Sequence, residues 1–445
     1  MTLLPCWPVR IGWLLLCGFF CAPASAAWKT NVSDQFNFTP TYYFEDLQNS
    51  TSQWSTFIRE QVDVTSKPTR DLKLKLTPVV FSDPSSPSVP EQFSFDVLEA
   101  NVDYRLSNFR FKVGMNSVSW GSTDIFNPLD VVSARRYTDF LNIEKRGVPS
   151  VILTYDDGTW LFEGIFVPVQ QISILPGDKS RWFPRDIAYA GGNNLAQVYF
   201  SNPFAYQLVG PAVDNNSLQD NFGFRAEHHG SGLDLTAIFF QGAPSAPAIL
   251  IPNVLATASY LAPQGQPKVV IANQAFLQPV YYLRQTVGAS AVVTLSTVII
   301  RLAAAYSDRI LDPNPLLPSW ESDIVLGIEK NFSIGKEGTL TALLQGTDCN
   351  HGDPPGDLVT SINRVFDQSY LLGLRYQASP TWTYSLAGLF DVRYNDGYAT
   401  AKFEHKLTDG LTSSLEYDWL DGSAGTPLGT YRKNKRVALG LVASF

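Results

Sequence analysis

Ionisable side chains fall at every second position over many short stretches of this chain, and that spacing is the first clue to its chemistry. Arg110 and Lys112 alternate with Phe109, Phe111, Val113 and Met115, while Asp103 and Arg105 alternate with Val102, Tyr104 and Leu106 just before them. If these are two strands joined by a Ser107-Asn108 turn, Leu106 faces Phe109, Asp103 faces Lys112 and Arg105 faces Arg110. All four charges then share one face, because strand side chains alternate with a period of two. The like-charged Arg105–Arg110 pair needs water or an acid such as Asp103 beside it. Such a row could line a water-filled passage and act on solutes through fixed charge. The plainer reading is that the charges pair across strands and brace a wall.

A second group lies further on. The stretch Ser119-Trp120-Gly121-Ser122-Thr123-Asp124-Ile125-Phe126-Asn127-Pro128-Leu129-Asp130 leads to Arg135, Arg136, Asp139, Glu144, Lys145 and Arg146. Gly121 permits a sharp turn, Asn127-Pro128 starts another, and Asp124 or Asp130 can accept hydrogen bonds from the turned backbone. Residues 122–147 exceed what a simple hairpin requires. They are expected to fold inward and narrow a pore, with Arg135, Arg136, Lys145 and Arg146 giving the constriction positive charge. The alternative is an outward loop whose charges face solvent.

Enzymatic chemistry finds little support. The histidines are His228, His229, His351 and His405. Neighbouring His228 and His229 point to opposite faces of a strand, so one site cannot use both. Cys349, His351 and Asp353 are close in sequence, but so few ligands do not make a convincing metal site. No nucleophile elbow, phosphate loop or zinc motif is present. Neither an enzyme nor a cofactor is expected.

The elements that would position these charges are strands in hairpins. Short turns are expected at Lys67-Pro68, Ser107-Asn108, Asp156-Asp157-Gly158, Gly230-Ser231-Gly232, Ser296, Lys336-Glu337-Gly338, Pro380 and Thr408-Asp409-Gly410. Several carry the Asp, Asn and Gly chemistry of tight hairpins. With a first and a last strand they imply about 18 strands (16–20, since 193–200 and 248–260 are ambiguous). Long connections at 122–147, 168–219 and 242–279, rich in Pro, Gly, Asn and Ser, would lie on the opposite rim, with no separate domain in them.

Both ends fit a membrane destination. Arg10, the apolar run from Ile11 to Ala22 and Ala24-Ser25-Ala26 read as a signal peptide over residues 1–26, leaving a single barrel over 27–445. The residues before Cys17 and Cys21 make poor lipidation sites, and only Cys349 would remain after cleavage, too few for an internal disulfide. At the other end Val437, Leu439, Leu441, Ala443 and Phe445 share one face, so Phe445 is expected to serve as an assembly signal. No large plug precedes the first strand-like run, Phe36-x-Phe38-x-Pro40-x-Tyr42.

Composition agrees. Hydrophobic residues make up 45% and aromatic residues 13%, with no long apolar run after cleavage. Alternation reconciles the two, because a transmembrane barrel turns every second residue to lipid. The formal charge of −8 becomes more negative once Arg10 is lost, which argues against a nucleic-acid partner. Tyr42, Trp54, Trp160, Trp320, Trp382 and Trp419 fall near strand ends, where interfacial girdles lie.

The Trp-Gly-x-x-Asp-x-x-Asn-Pro-x-Asp pattern beginning at Trp120, with Gly147-Val148-Pro149, Val167-Pro168 and the closing 434–445 strand, resembles a loose group of largely uncharacterised porin-like outer-membrane barrels of Gram-negative bacteria. The expectation is therefore an all-β, transmembrane antiparallel barrel in the bacterial outer membrane that passes small polar solutes passively. Alternatives are a dedicated conduit for a polysaccharide or an apolar molecule, supplied by an inner-membrane transporter, and a structural or adhesive barrel. Expected partners are the lipid bilayer, the barrel-assembly machinery, periplasmic chaperones and small solutes. Mixed charge in the lumen would suggest general solutes, aromatic tracks sugar, and apolar lining lipid.

Overall fold

A computed structural model describes residues 28–47, 52–183, 192–193, 196–213, 216–260, 268–310, 317–352, 365–423 and 426–445. The expected signal segment and Asp353 lie outside the described residues.

Eighteen strands close into one antiparallel barrel. The first five are β1 (Lys29–Tyr43), β2 (Trp54–Lys67), β3 (Leu72–Ser82), β4 (Ser94–Leu106) and β5 (Phe109–Asn116). Next come β6 (Val148–Asp156), β7 (Trp160–Val169), β8 (Gln219–His229) and β9 (Leu233–Gly242). β10 (Arg284–Leu295), β11 (Val298–Arg309), β12 (Trp320–Ile334) and β13 (Gly338–His351) follow. The last are β14 (Gln368–Gln377), β15 (Trp382–Asp391), β16 (Asp396–Thr408), β17 (Leu411–Asp421) and β18 (Arg436–Ser444). Each strand pairs with its chain neighbours, and β18 returns to β1 with Gln35 opposite Ser444 and Tyr43 opposite Arg436. Closure leaves no unpaired edge in lipid.

Period-two alternation explains the wall. Phe109, Phe111, Leu153, Phe162, Leu302 and Leu344 form part of an exposed apolar belt. In water such a belt would drive association; against lipid it is the matching surface, and the chain crosses the membrane with strands. Among the described residues no helix is long and apolar enough to cross.

Every turn expected from the sequence joins two barrel strands on the same rim. Ser107 and Ser296 take φ of 52° and 54°, the left-handed conformation that two-residue hairpins require. Asp157 accepts hydrogen bonds from the Thr159 and Trp160 amides at 2.9 and 2.8 Å, which holds its carboxyl below the usual range. Trp160 and Trp382 lie at this rim; Trp54, Trp320 and Trp419 lie toward the other.

The long connections depart from expectation. The two ambiguous segments are strands, but neither enters the barrel. Residues Ala196–Leu208 run parallel to Lys268–Tyr281, and Ala248–Tyr260 pairs antiparallel to the same strand. The connections after β7 and β9 therefore share a mixed sheet of their own. Their apolar runs found partners in each other, which local patterning does not reveal.

Candidate lumen constriction

The connection after β5, residues 117–147, folds into the barrel and crosses it. Its first half is fastened by apolar packing. Val118, Trp120, Leu129, Val131 and Val132 form one cluster with Ile152 of β6, Ile165 and Val167 of β7, Ile238 and Phe240 of β9, Ala303 of β11 and Val325 of β12. Trp120 is 1% exposed, stands edge-on to Phe240 at 6.2 Å, and donates its indole N–H to Glu163 at 2.9 Å. The Ser133 hydroxyl accepts from the Val118 amide and donates to the Val118 carbonyl at 2.9 and 3.0 Å.

The distinctive motif is a local staple within this anchor. Asn127 Nδ2 donates to the Trp120 carbonyl at 2.7 Å, and its Oδ1 accepts from the Leu129 amide at 3.1 Å. Gly121, with φ of +84°, leaves room for that side chain: a Cβ there would lie 2.4 Å from Asn127 Oδ1. The backbone-binding role read onto Asp124 or Asp130 thus belongs to Asn127. Asp124 instead reaches β11 of the same wall, pairing with Arg301 at 3.1 Å, and Arg301 also meets Glu329 of β12 at 2.9 Å. Beside it the Ile125 amide donates to Gln345 Oε1 at 3.3 Å.

The second half is a small hairpin, Arg135–Arg136 against Glu144–Lys145. Its base is tied to the wall by Glu144 with Arg59 of β2 at 3.0 Å and by Arg146 with Asp96 of β4 at 2.6 Å. Its tip reaches β18, where Arg436 holds Asp139 at 2.7 Å while also holding Asp418 of β17 at 2.7 Å. Phe140 packs on Tyr431 at 4.9 Å. The loop therefore bridges the lumen from the β6–β12 wall to the β17–β18 wall.

The four basic residues expected to charge the constriction are largely committed to other groups. Arg135 and Lys145 share Asp130, at 2.6 and 2.8 Å, and Arg146 is the partner of Asp96. Arg136 differs. It is 3% exposed, lies 4.1 Å over the Phe81 ring and donates Nη1 to Ser94 at 2.8 Å. Its Nε and Nη2 meet no hydrogen-bond partner among the described residues. The ring of free positive charge is thus reduced to one arginine, because acids within the loop and on the wall neutralise the rest.

Nearer the short-turn rim, the β4–β5 register pairs Asp103 with Lys112 and Arg105 with Arg110. The ion pairs run diagonally: Arg110 Nε donates to Asp103 at 2.8 Å, and Lys112 lies 3.8 Å from Glu99. Lys75 is a second partner of Glu99. Asp103 is buried and Arg105 exposed. At the seam, Phe445 exchanges backbone hydrogen bonds with Asp34 at 2.9 and 3.1 Å, and its ring is exposed on the outer face.

What the loop leaves open is a cavity of about 270 Å³ against β1–β3 and β16–β18, bordered by Arg59, Asp83, Arg136, Glu144, Lys402 and Glu416. Both signs are present, and polar wall positions such as Asn37, Thr39 and Ser414 continue it. Among the described residues no group of three or more His, Cys, Asp or Glu could hold a metal ion. The apolar inward wall was missed in the sequence. Its signal was available in Val151-Ile152-Leu153, Ile165-Phe166-Val167 and Ile238-Phe239-Phe240, where both faces of a strand are apolar.

No family model and no curated protein matches the chain. Among solved structures it is similar to OccAB1 of Acinetobacter baumannii, with TM-score 0.51 and 10% identity over 94% of this chain and 96% of that one. It also aligns with OmpF of Salmonella typhi, at TM-score 0.45 and 9% identity over 94% and 98%. OmpT of Vibrio cholerae gives 0.42 and 10% over 94% and 100%. At these identities the similarity is one of fold: a closed antiparallel β-barrel like that of OccAB1.

Proposed function

We propose that this protein is a non-enzymatic channel of the bacterial outer membrane, passing small polar solutes passively along the half of the lumen that its inward loop leaves open. The observation that carries the reading is the cavity between the loop hairpin and the β1–β3 and β16–β18 wall, lined by polar groups of both signs. One water's share of liquid volume is about 30 Å³, so a space of about 270 Å³ admits a small solute with part of its hydration. Paired charges of both signs define a local field across the passage rather than a single-sign filter. Single-channel recording in planar bilayers with a panel of sugars, amino acids and small anions tests this. Discrete conductance steps and graded solute exclusion by size are expected; an inserted barrel that carries no current would overturn it.

We also propose that Phe445 is read by the assembly machinery. It completes the apolar outer row of β18 and sits where the barrel closes on β1. Deleting it should lower the heat-modifiable, folded fraction in the membrane; unchanged yield would remove the assignment.

A further inference from the structure

The lumen wall turns apolar in a second place, away from the loop anchor. Toward the long-loop ends of β14–β17 the inward positions are Leu371, Leu389, Tyr398 and Leu420. Further along the same strands the inward positions are Arg375, Ser385, Lys402 and Glu416. Leu389, Tyr398 and Leu420 cluster with Phe140 and Leu141 of the inward loop and with Trp182, Leu428 and Tyr431. They do not close on one another. A cavity of about 410 Å³ remains, and Ile125 and Ile143, both more than a third exposed, border it. A cluster that served only to lock loops together would fill such a gap, since interiors pack to nearly crystal density.

Two features define what would fill it. Its volume falls in the range of about 300–1,000 Å³ typical of small-molecule sites. No acidic or basic side chain lines it among the described residues, so a charged solute would lose hydration without a partner. We propose that this cavity is a binding site for an uncharged small molecule with an aromatic or alkyl body, which lies against Leu371, Leu389 and Leu420. Trp182 borders this cavity and the polar one alike, so the site adjoins the solute route without being part of it.

The test uses 2-naphthol, an uncharged aromatic alcohol, and the full chain in lipid nanodiscs. Equilibrium dialysis measures its uptake, with empty nanodiscs giving the linear partition into lipid. A saturable component of about one molecule per chain is expected above that line, with none for glycerol. Ala387→Trp fills the cavity from an inward wall position, and Ile143→Asp places a charge at its edge. Each should weaken the saturable component by about tenfold or more, while Ala387→Trp, outside the constriction loop, leaves single-channel conductance near wild type. Uptake by the wild-type chain that matches empty nanodiscs overturns the proposal, as does undiminished saturable binding in the folded, heat-modifiable Ala387→Trp variant. Failure of the channel reading would show in conductance alone, so the two results are separable.

Discussion

The two sides of the lumen follow opposite rules. On β6, β7, β9, β11 and β12 the inward positions include Ile152, Ile165, Phe240, Ala303 and Val325, packed with the loop as a protein core in which Leu129 and Phe240 are fully buried. On β1, β2 and β16–β18 the inward positions include Asn37, Thr39, Arg59, Lys402 and Glu416, and a cavity stands against them. A barrel of this size has an interior too wide for its own side chains to fill. One side solves this by importing a loop as filler, and the other leaves the space to water. The difference also assigns the forces. Full burial of a large apolar side chain contributes roughly 1.5–3 kcal/mol, and the loop places five such residues on the apolar wall. A hydrogen bond to a charged group contributes about 1.5–3 kcal/mol at best, and many of the hairpin's charged contacts, such as those of Arg135 and Lys145 with Asp130, lie within the loop and do not fix its place on the wall. Apolar packing therefore decides where the loop sits, and ion pairs decide how its tip is aimed.

The largest effect should come from breaking the apolar anchor. Trp120→Ala removes the ring from its contact with Phe240 and the donor from Glu163, and should cost about 3–5 kcal/mol in loop anchoring. Conductance should rise and the loop should become open to protease, with the barrel still heat-modifiable. Trp120→Phe keeps most of the packing and should give a much smaller change. If Trp120→Ala leaves conductance and cleavage unchanged, the apolar wall does not hold the loop.

The tip tether should matter less. Asp139→Asn weakens the bond to Arg436, which still holds Asp418, so the expected loss is about 1.5–3 kcal/mol. Cleavage should then increase at 137–143 and not at 119–132. Equal exposure of both segments would mean that the two anchors act as one unit, and the contrast between the two walls would lose its energetic basis.

The polar side can be sharpened by charge reversal. Arg136→Glu alters a guanidinium that borders the cavity with donors to spare, and should move the reversal potential toward cation preference. Arg135→Glu puts a second acid beside Asp130 instead. It should loosen the hairpin with little direct change in ion preference. The reverse order of effects would show that Arg135 faces the passage and Arg136 does not.

These contrasts bear on what the sequence made legible. The strands, their number and the short turns could be read because period-two alternation and hairpin chemistry are local, and lipid imposes both everywhere. The β4–β5 register followed from the two residues Ser107-Asn108. The inward fold of residues 122–147 was readable from length and turn residues, but its charges were not, since Asp130 and Asp96 find their arginines and lysine through tertiary contact. Treating every inward position as polar hid the apolar wall. Ile152, Ile165 and Ile238 break the alternation, and each taken alone is indistinguishable from noise. The mixed sheet formed by 196–208, 248–260 and 268–281 depends on pairing across distant segments, which no local pattern encodes.

The smallest expected effect is a pH dependence on the polar side, at Glu91 in the connection between β3 and β4. The Ser86 hydroxyl donates to Glu91 Oε2 at 2.7 Å, and the connection approaches the turn at Gly177 so closely that a Cβ there would lie 2.6 Å from Ser88 Oγ. Burial pushes the Glu91 carboxyl up to about 7, with neighbouring Asp83 adding to the rise and the Ser180 and Ser86 hydroxyls opposing it. The folded state therefore binds the proton more tightly than the unfolded chain does. Stability from this contact is fully present below the ordinary value of 4.5, declines as pH rises toward 7, and is level above it. Hydrogen exchange, corrected for its intrinsic pH dependence, should show residues 83–93 and 177–183 more protected at pH ~5 than at pH ~8. Glu91→Gln should hold the protected state at both values, because the amide fills the same place without ionising. If that variant keeps the wild-type pH dependence, another group governs the strap, and Asp83 is the next to replace.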